Sequence, residues 1–186
     1  MKYESLLPDH FYHIYNRGNN REDLFIEEKN YHYFISLLTK HITPVAEIYA
    51  YCLLKNHFHL LIRIKENQIK NNPSQAFSNF FNAYAKAINK AYSRTGSLFQ
   101  DRFKRIPVKD ENYLINLIIY IHLNPVNHGF VQDFKKYRFS SYEELISEMP
   151  TFLERQQVLN IFEDKQNFVS VHTTKRNSEF NFEPII

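Results

Sequence analysis

The 186-residue chain has little of what usually staples or hinges a protein. Cys52 is its single cysteine, so no intrachain disulfide can form. Its place in an apolar segment predicts a buried, inert thiol. Only three glycines are present, which leaves no material for a Gly-rich phosphate loop. Tryptophan is absent. No apolar run approaches the length of a membrane span. The opening Met1–Asp9 stretch lacks the apolar core of a signal peptide, so the expectation is the cytoplasm of a prokaryote and no membrane partner. Charge of one sign is also scarce. The formal net charge is +3, weak evidence by itself for a nucleic-acid partner.

Aromatic and aliphatic side chains are abundant. With 44% hydrophobic residues, 13 Tyr and 17 Phe, the chain is globular, with a real core in a single body. Segment 55–64 reads Lys-Asn-His-Phe-His-Leu-Leu-Ile-Arg-Ile. It alternates as a half-buried strand does, with Phe58, Leu60, Ile62 and Ile64 on one face and His57, His59 and Arg63 on the other. Two imidazoles side by side can grip one divalent ion. The spacing alone fits equally a half-exposed strand that happens to carry two histidines, because His-x-His is a weak motif.

Residues 112–124 form a second unusual segment. Asp110 and Glu111 suit a helix N-terminus, and Pro125 predicts a stop. Leu114, Ile115, Leu117, Ile118, Ile119, Ile121 and Leu123 make the helix apolar almost all round, hence buried. Yet Asn112, Asn116, Tyr120 and Asn124 recur at helical spacing in one stripe. A polar stripe on a buried helix must find polar partners. Tyr120 is then either a core tyrosine bonded to some carbonyl or, with Asn124, a group facing the two histidines across a metal.

Lys86, Lys90, Arg94, Arg102, Lys104 and Arg105 fall close together, interleaved with Tyr84, Tyr92, Phe99 and Phe103. Cations for phosphates beside aromatics for bases is how single strands are held. The same charges also fit the solvated side of a helix and hairpin. Asn16 and Arg17, at the end of a first strand, suit either DNA contact or a turn.

The coarse layout begins with a strand over 11–16 and a helix over 27–41. Strands over 45–54 and 57–64 follow, joined by a tight hairpin at Lys55-Asn56. A long helix capped by Ser74 precedes a strand over 98–108, irregular near Gln100-Asp101. This order, β-α-β-β-α-β, is the ferredoxin-like pattern, an α+β class with an antiparallel sheet. The Tyr120 helix comes next, then short helices over 140–147 and 155–164, then a polar, loosely held tail from His172. Residues 1–148 are expected to form the main domain. Residues 149–186 should form a helical extension packed on it.

His57-Phe58-His59, followed by Tyr120-Ile-His-Leu-Asn-Pro-Val-Asn-His-Gly-Phe130, resembles the single-tyrosine HUH transposases and, among them, the REP-associated tyrosine transposases. The block from Arg94 to Lys104 and the opening Phe11-Tyr-His-Ile-Tyr-Asn-Arg-Gly18 fit the same family. The likeness spans residues 8 to 142.

The resemblance implies the HUH endonuclease fold, with Tyr120 as the nucleophile on a phosphodiester of single-stranded or hairpin DNA. A 5′-phosphotyrosine and a 3′-hydroxyl would result. It implies His57, His59 and Asn124 as ligands of Mg²⁺ or Mn²⁺, with Arg17, Lys86, Lys90, Arg94, Arg102, Lys104 and Arg105 as candidate DNA contacts. His122 is read as packing or a surface bond rather than a ligand, His128 as shaping a turn, and His13 as a satisfied structural histidine within reach of the site face. A replication-initiator-like nickase, a non-catalytic DNA-binding protein keeping the fold, and a metal-dependent hydrolase without a covalent step stay open. So does the choice between monomer and homodimer.

Overall fold

A computed structural model describes residues 5–66, 72–177 and Phe182. Four antiparallel strands lie in the order β2-β3-β1-β4. They are β1 (Phe11–Arg17), β2 (Ala46–Leu54), β3 (His57–Ile64) and β4 (Lys104–Pro107). Helix α1 (Glu28–His41) joins β1 to β2, and α2 (Pro73–Ala91) joins β3 to β4. Each crossover skips over a central strand, which is the ferredoxin-like topology expected from the element order.

The two faces of the sheet take different cover. Phe58, Leu60 and Ile62 of β3 and Tyr12 and Ile14 of β1 face α1 and α2 across an aromatic core. Phe34 is its hub, with ring centroids 5.1 Å from Phe58, 4.8 Å from Phe80 and 5.0 Å from Tyr84. The other face lies under α3 (Glu111–Asn127), whose Leu117, Ile118 and Ile121 are fully buried. Cys52 is buried there, and burial pushes its thiol pKa up.

Several boundaries differ from expectation. Asn72, not Ser74, caps α2: its side chain accepts from the Ser74 and Gln75 amides, and Pro73 takes the first helical position, where a missing N–H costs nothing. The strand expected over 98–108 is only Lys104–Pro107, because Arg102 turns the chain through a positive φ of 55° just before it. The upstream part keeps one bridge, Phe99 to Gly18.

Helix α3 does not stop at Pro125. It runs to Asn127, and Gly129, at φ 71°, ends it. Proline forfeits one helical hydrogen bond but holds a helical φ. Asn124 and Pro125 are both buried, so packing on the sheet keeps that turn helical. The helix expected over 140–147 shrinks to α4 (Tyr142–Ile146), and the one over 155–164 is α5 (Arg155–Ile161).

The largest departure is α6 (Lys165–Asn177), a helix that runs through His172, where the loosely held tail is expected to begin. Its signal in the sequence is faint because the helix buries only a narrow line, Phe168 and His172, one turn apart. The remainder of the expected tail, residues 178–181 and 183–186, lies outside the described residues, as do residues 1–4.

His172 anchors α6 through a buried chain of polar atoms. Its Nδ1 lies 2.7 Å from the Phe168 carbonyl and its Nε2 2.9 Å from Nδ1 of His122. Nε2 of His122 lies 2.8 Å from Oγ of Ser141, which accepts the Tyr51 amide. With both imidazoles neutral every nitrogen is satisfied: His172 donates to the carbonyl, His122 donates to His172, and Ser141 donates to His122. Burial depresses the pKa of both, that of His172 from 6.5 to about 4.

The unfolded chain therefore takes up this proton first as the pH drops. The contribution of His172 is complete above about pH 6.5 and lost progressively down to about pH 4. Its full loss amounts to about 3 kcal/mol, at about 1.4 kcal/mol per pH unit per proton. Urea denaturation between pH 7 and 4 should show this decline. His172→Leu should be less stable at pH 7 and should flatten the decline by about one proton.

Candidate active site

The antiparallel register of β1 on β3 assembles a row of polar rings. Arg17 pairs with His57, Tyr15 with His59, and His13 with Leu61. Directly opposed residues point to the same face, so His13, Tyr15 and Arg17 join His57 and His59 beneath α3. On the far side of β1, Lys104 pairs with Tyr15 and joins that face too. The hairpin tip is fastened where β3 begins. The Lys55 carbonyl accepts the Leu24 and Phe25 amides, and the Asn56 carbonyl accepts the Gly18 amide at 2.8 Å. Gly18 has no room for a side chain, since a Cβ would fall 1.9 Å from the Glu22 carbonyl oxygen.

Helix α3 brings the tyrosine. The Tyr120 ring stands edge-on to His59 at 5.5 Å and to His13 at 6.4 Å. Two turns on, His128 meets His57 at 4.7 Å. Asn124, one turn from each, lies between these contacts. Its Nδ2 donates to the Tyr120 carbonyl at 2.9 Å, which locks the side chain. Its Oδ1 is fully buried and has no hydrogen-bond partner among the described residues. The polar stripe is thus graded, with Asn112 exposed, Asn116 and Tyr120 half-buried and Asn124 buried.

The imidazoles are neutral at physiological pH. Burial, with His128 and Arg17 adding like charge, lowers His57 to about 4. Burial, then His13, His57 and His128, holds His59 well below its ordinary value. Burial alone lowers His13 to about 3. Nδ1 of His57 lies 2.7 Å from the Asn56 side-chain oxygen, and Nδ1 of His59 lies 2.9 Å from Nε2 of His13.

Among the described residues no three His, Cys, Asp or Glu side chains gather to hold an ion. The donor set that fits one is mixed: two neutral imidazoles and the orphaned amide oxygen of Asn124. An unpartnered buried oxygen is costly, and a divalent cation with oxygen and imidazole preferences is a partner that would satisfy it.

The candidate DNA-contacting cations do not form one patch. Arg17 is exposed beside His57 and lowers its pKa. Lys104 is exposed on the same face of the sheet. Arg105 turns to the opposite face, its guanidinium 4.5 Å over Phe103 and within 3.3 Å of the Ser74 hydroxyl. It lines, with Arg102, Asn16, Asn82, Asn89 and Gln100, a cleft of about 640 Å³ between α2 and the segment before β4. Lys86 and Lys90 stand exposed on α2. Arg94 is committed to an ion pair with Glu22.

His13 is within reach of the site, as expected, but it is not a satisfied histidine, since its Nδ1 has no partner among the described residues. Tyr15 is an addition to the site, and His128, expected to shape a turn, also meets His57. The alternation His13-Tyr15-Arg17 was visible in the sequence, but its strand neighbour was not. Phe182, from a stretch without motifs, lies 5.9 Å from the Tyr120 ring. His122 does pack inside the protein, as expected.

Residues 7–124 match the family described as IS200-like transposases, and the chain belongs to that family. A Haemophilus influenzae protein named as a REP-associated tyrosine transposase is 30% identical over 105 residues, 52% of this chain. The match spans 58% of that relative's length. A solved structure of a REP-associated tyrosine transposase bound to a REP hairpin superposes with a TM-score of 0.61 at 19% identity. It covers 81% of this chain and 88% of that one, a likeness of fold. Among the described residues no helix is long and apolar enough to cross a membrane.

Arg17 depresses His57 and His128 through its charge, after burial in both cases. Arg17→Ala should raise the titration midpoints of both rings in a metal-free NMR pH series and leave His172 unmoved.

Proposed function

We propose that this protein nicks and rejoins single-stranded, hairpin-bearing DNA through a 5′-phosphotyrosine at Tyr120, assisted by Mg²⁺ or Mn²⁺. The observation that carries the reading is the convergence of Tyr120, His57, His59 and the unsatisfied Asn124 oxygen on one side of the sheet. Family membership supports it, as does the fold shared with a transposase whose structure holds a REP hairpin.

Tyr120 Oη attacks the scissile phosphorus. The P–O3′ bond breaks, the phenolic proton is lost, and the leaving 3′ oxygen gains one. Rejoining reverses this: the 3′-hydroxyl attacks the phosphotyrosine and the phenol is restored. A phenol of pKa about 10 is a weak nucleophile at neutral pH and needs help. Bound at His57, His59 and Asn124, a divalent cation would polarise the phosphate and offset charge developing there. Rigid placement of Tyr120 on a buried helix supplies orientation. Arg17 draws the backbone to the rim, and Lys104 continues that path across the edge strand. Lys86, Lys90, Arg102 and Arg105 extend it round the edge to α2.

Tyr120→Phe should bind a labelled hairpin oligonucleotide normally and give no nicked product. On a denaturing gel with Mn²⁺, the wild type should show a protein–DNA adduct. An adduct that survives in Tyr120→Phe would sink the assignment. His57→Ala and His59→Ala should stop cleavage with the fold retained, and Asn124→Ala should weaken it less. Cleavage unchanged in excess chelator would remove the metal from the scheme.

Binding should weaken with salt. About four phosphate contacts on a single strand give a slope of about −3 in log affinity against log salt. Neutralising two of Lys86, Lys90, Arg102, Lys104 and Arg105 should flatten it by about 1 to 1.5. Arg94→Ala should leave it unchanged, since that guanidinium serves Glu22. Equal affinity for plain duplex would count against the single-strand reading.

A further inference from the structure

We infer that His13 is a positioning residue for His59, accepting its Nδ1 proton and thereby leaving its Nε2 bare for the cation. The inference rests on the metal reading above. An imidazole binds a cation through a nitrogen that carries no proton, and the group bonded to its other nitrogen decides which one that is.

For His57 the matter is closed locally. Its Nδ1 faces the side-chain oxygen of Asn56 at 2.7 Å, and an amide oxygen only accepts. His57 therefore carries its proton on Nδ1 and presents Nε2. His59 has no such one-way partner. Its Nδ1 faces Nε2 of His13 at 2.9 Å, and an imidazole nitrogen can donate or accept. Two ring nitrogens this close form a hydrogen bond only with one proton between them. If it belongs to His59, the Nε2 of His59 is bare. If it belongs to His13, the remaining proton of His59 sits on Nε2 and the ring cannot ligate. Only the first arrangement fits a cation at His57, His59 and Asn124.

Three observations tie His13 to this task. It is completely buried on β1, two residues from Tyr15, and its one hydrogen bond among the described residues is to His59. Its other nitrogen, Nδ1, is buried without a partner among the described residues. A histidine kept only for stability looks different here: His122 and His172 have every nitrogen satisfied. A half-satisfied polar ring in an apolar position costs stability relative to a leucine. The bond to His59 is what the ring supplies in return.

The test uses the full chain, titrated with Mn²⁺ and followed by loss of the free-ion EPR signal, so no DNA cleavage is needed. His13→Leu removes the acceptor and keeps the packing. His13→Gln puts a side-chain oxygen near the place of Nε2, and that oxygen accepts. His13→Leu should weaken Mn²⁺ binding about 10- to 100-fold, and His13→Gln should stay within about threefold of wild type. Two-bond ¹H–¹⁵N spectra with Mg²⁺ should show His59 protonated at Nδ1 in the wild type. Thermal melts establish that both variants fold.

The inference is overturned if leucine leaves the affinity unchanged, if glutamine is no better than leucine, or if His59 holds its proton on Nε2 with Mg²⁺ present. His59→Ala separates the two levels. Unchanged Mn²⁺ affinity in that variant would bring down the metal reading itself. Lost affinity there, with His13→Leu unaffected, would bring down the role of His13 alone.

Discussion

The antiparallel register of β1 against β3 is the constraint on which the site depends. It sets Arg17 opposite His57 and Tyr15 opposite His59, and it brings His13 within hydrogen-bonding distance of His59. Side chains alternate along a strand, so a slip of one residue would turn the whole row into the aromatic core around Phe34. That core is what prevents the slip. Phe58, Leu60 and Ile62 can be buried against α1 and α2 only in the present register, and the histidines are thereby committed to the face under α3. Packing on one side of the sheet fixes which polar side chains gather on the other.

Burial then sets the protonation states. The protein contains two buried histidine pairs, one on each side of α3, and they differ in what they leave unfinished. In the His122–His172 pair every nitrogen is satisfied, and the pair ties α6, α3 and the segment leading into α4 to β2. In the His13–His59 pair one nitrogen of His13 is unpartnered among the described residues, and so is the Asn124 oxygen. A chain does not retain such costs in a well-packed interior without compensation. The first pair holds the fold together, and the second is incomplete in the way a ligand site is.

The electrostatics divide similarly. Six cations close together in the sequence read as one patch, but the sheet edge splits them. Lys104 shares the face of His59, Arg105 goes to the opposite face, and Arg94 is consumed by Glu22. Arg17, from the first strand, stands opposite His57 and acts by its charge on His57 and His128. The line joining these charges turns round the β4 edge rather than running along α2 alone.

Periodicity and adjacency were enough to determine the local terms of this protein. Period-two alternation put His57 and His59 on one face, and helical spacing put Tyr120 and Asn124 in one stripe. The order of elements already implied the ferredoxin-like topology. These are properties of neighbouring residues, and elementary geometry reads them. What depended on distant residues was decided by tertiary packing. His13 became a partner of His59 because of a strand pairing 46 residues away in the chain. The helix ran past Pro125 because burial outweighed one lost hydrogen bond, and α6 formed because two of its side chains filled a gap against His122. In each case the deciding energy came from contacts that no window of sequence contains.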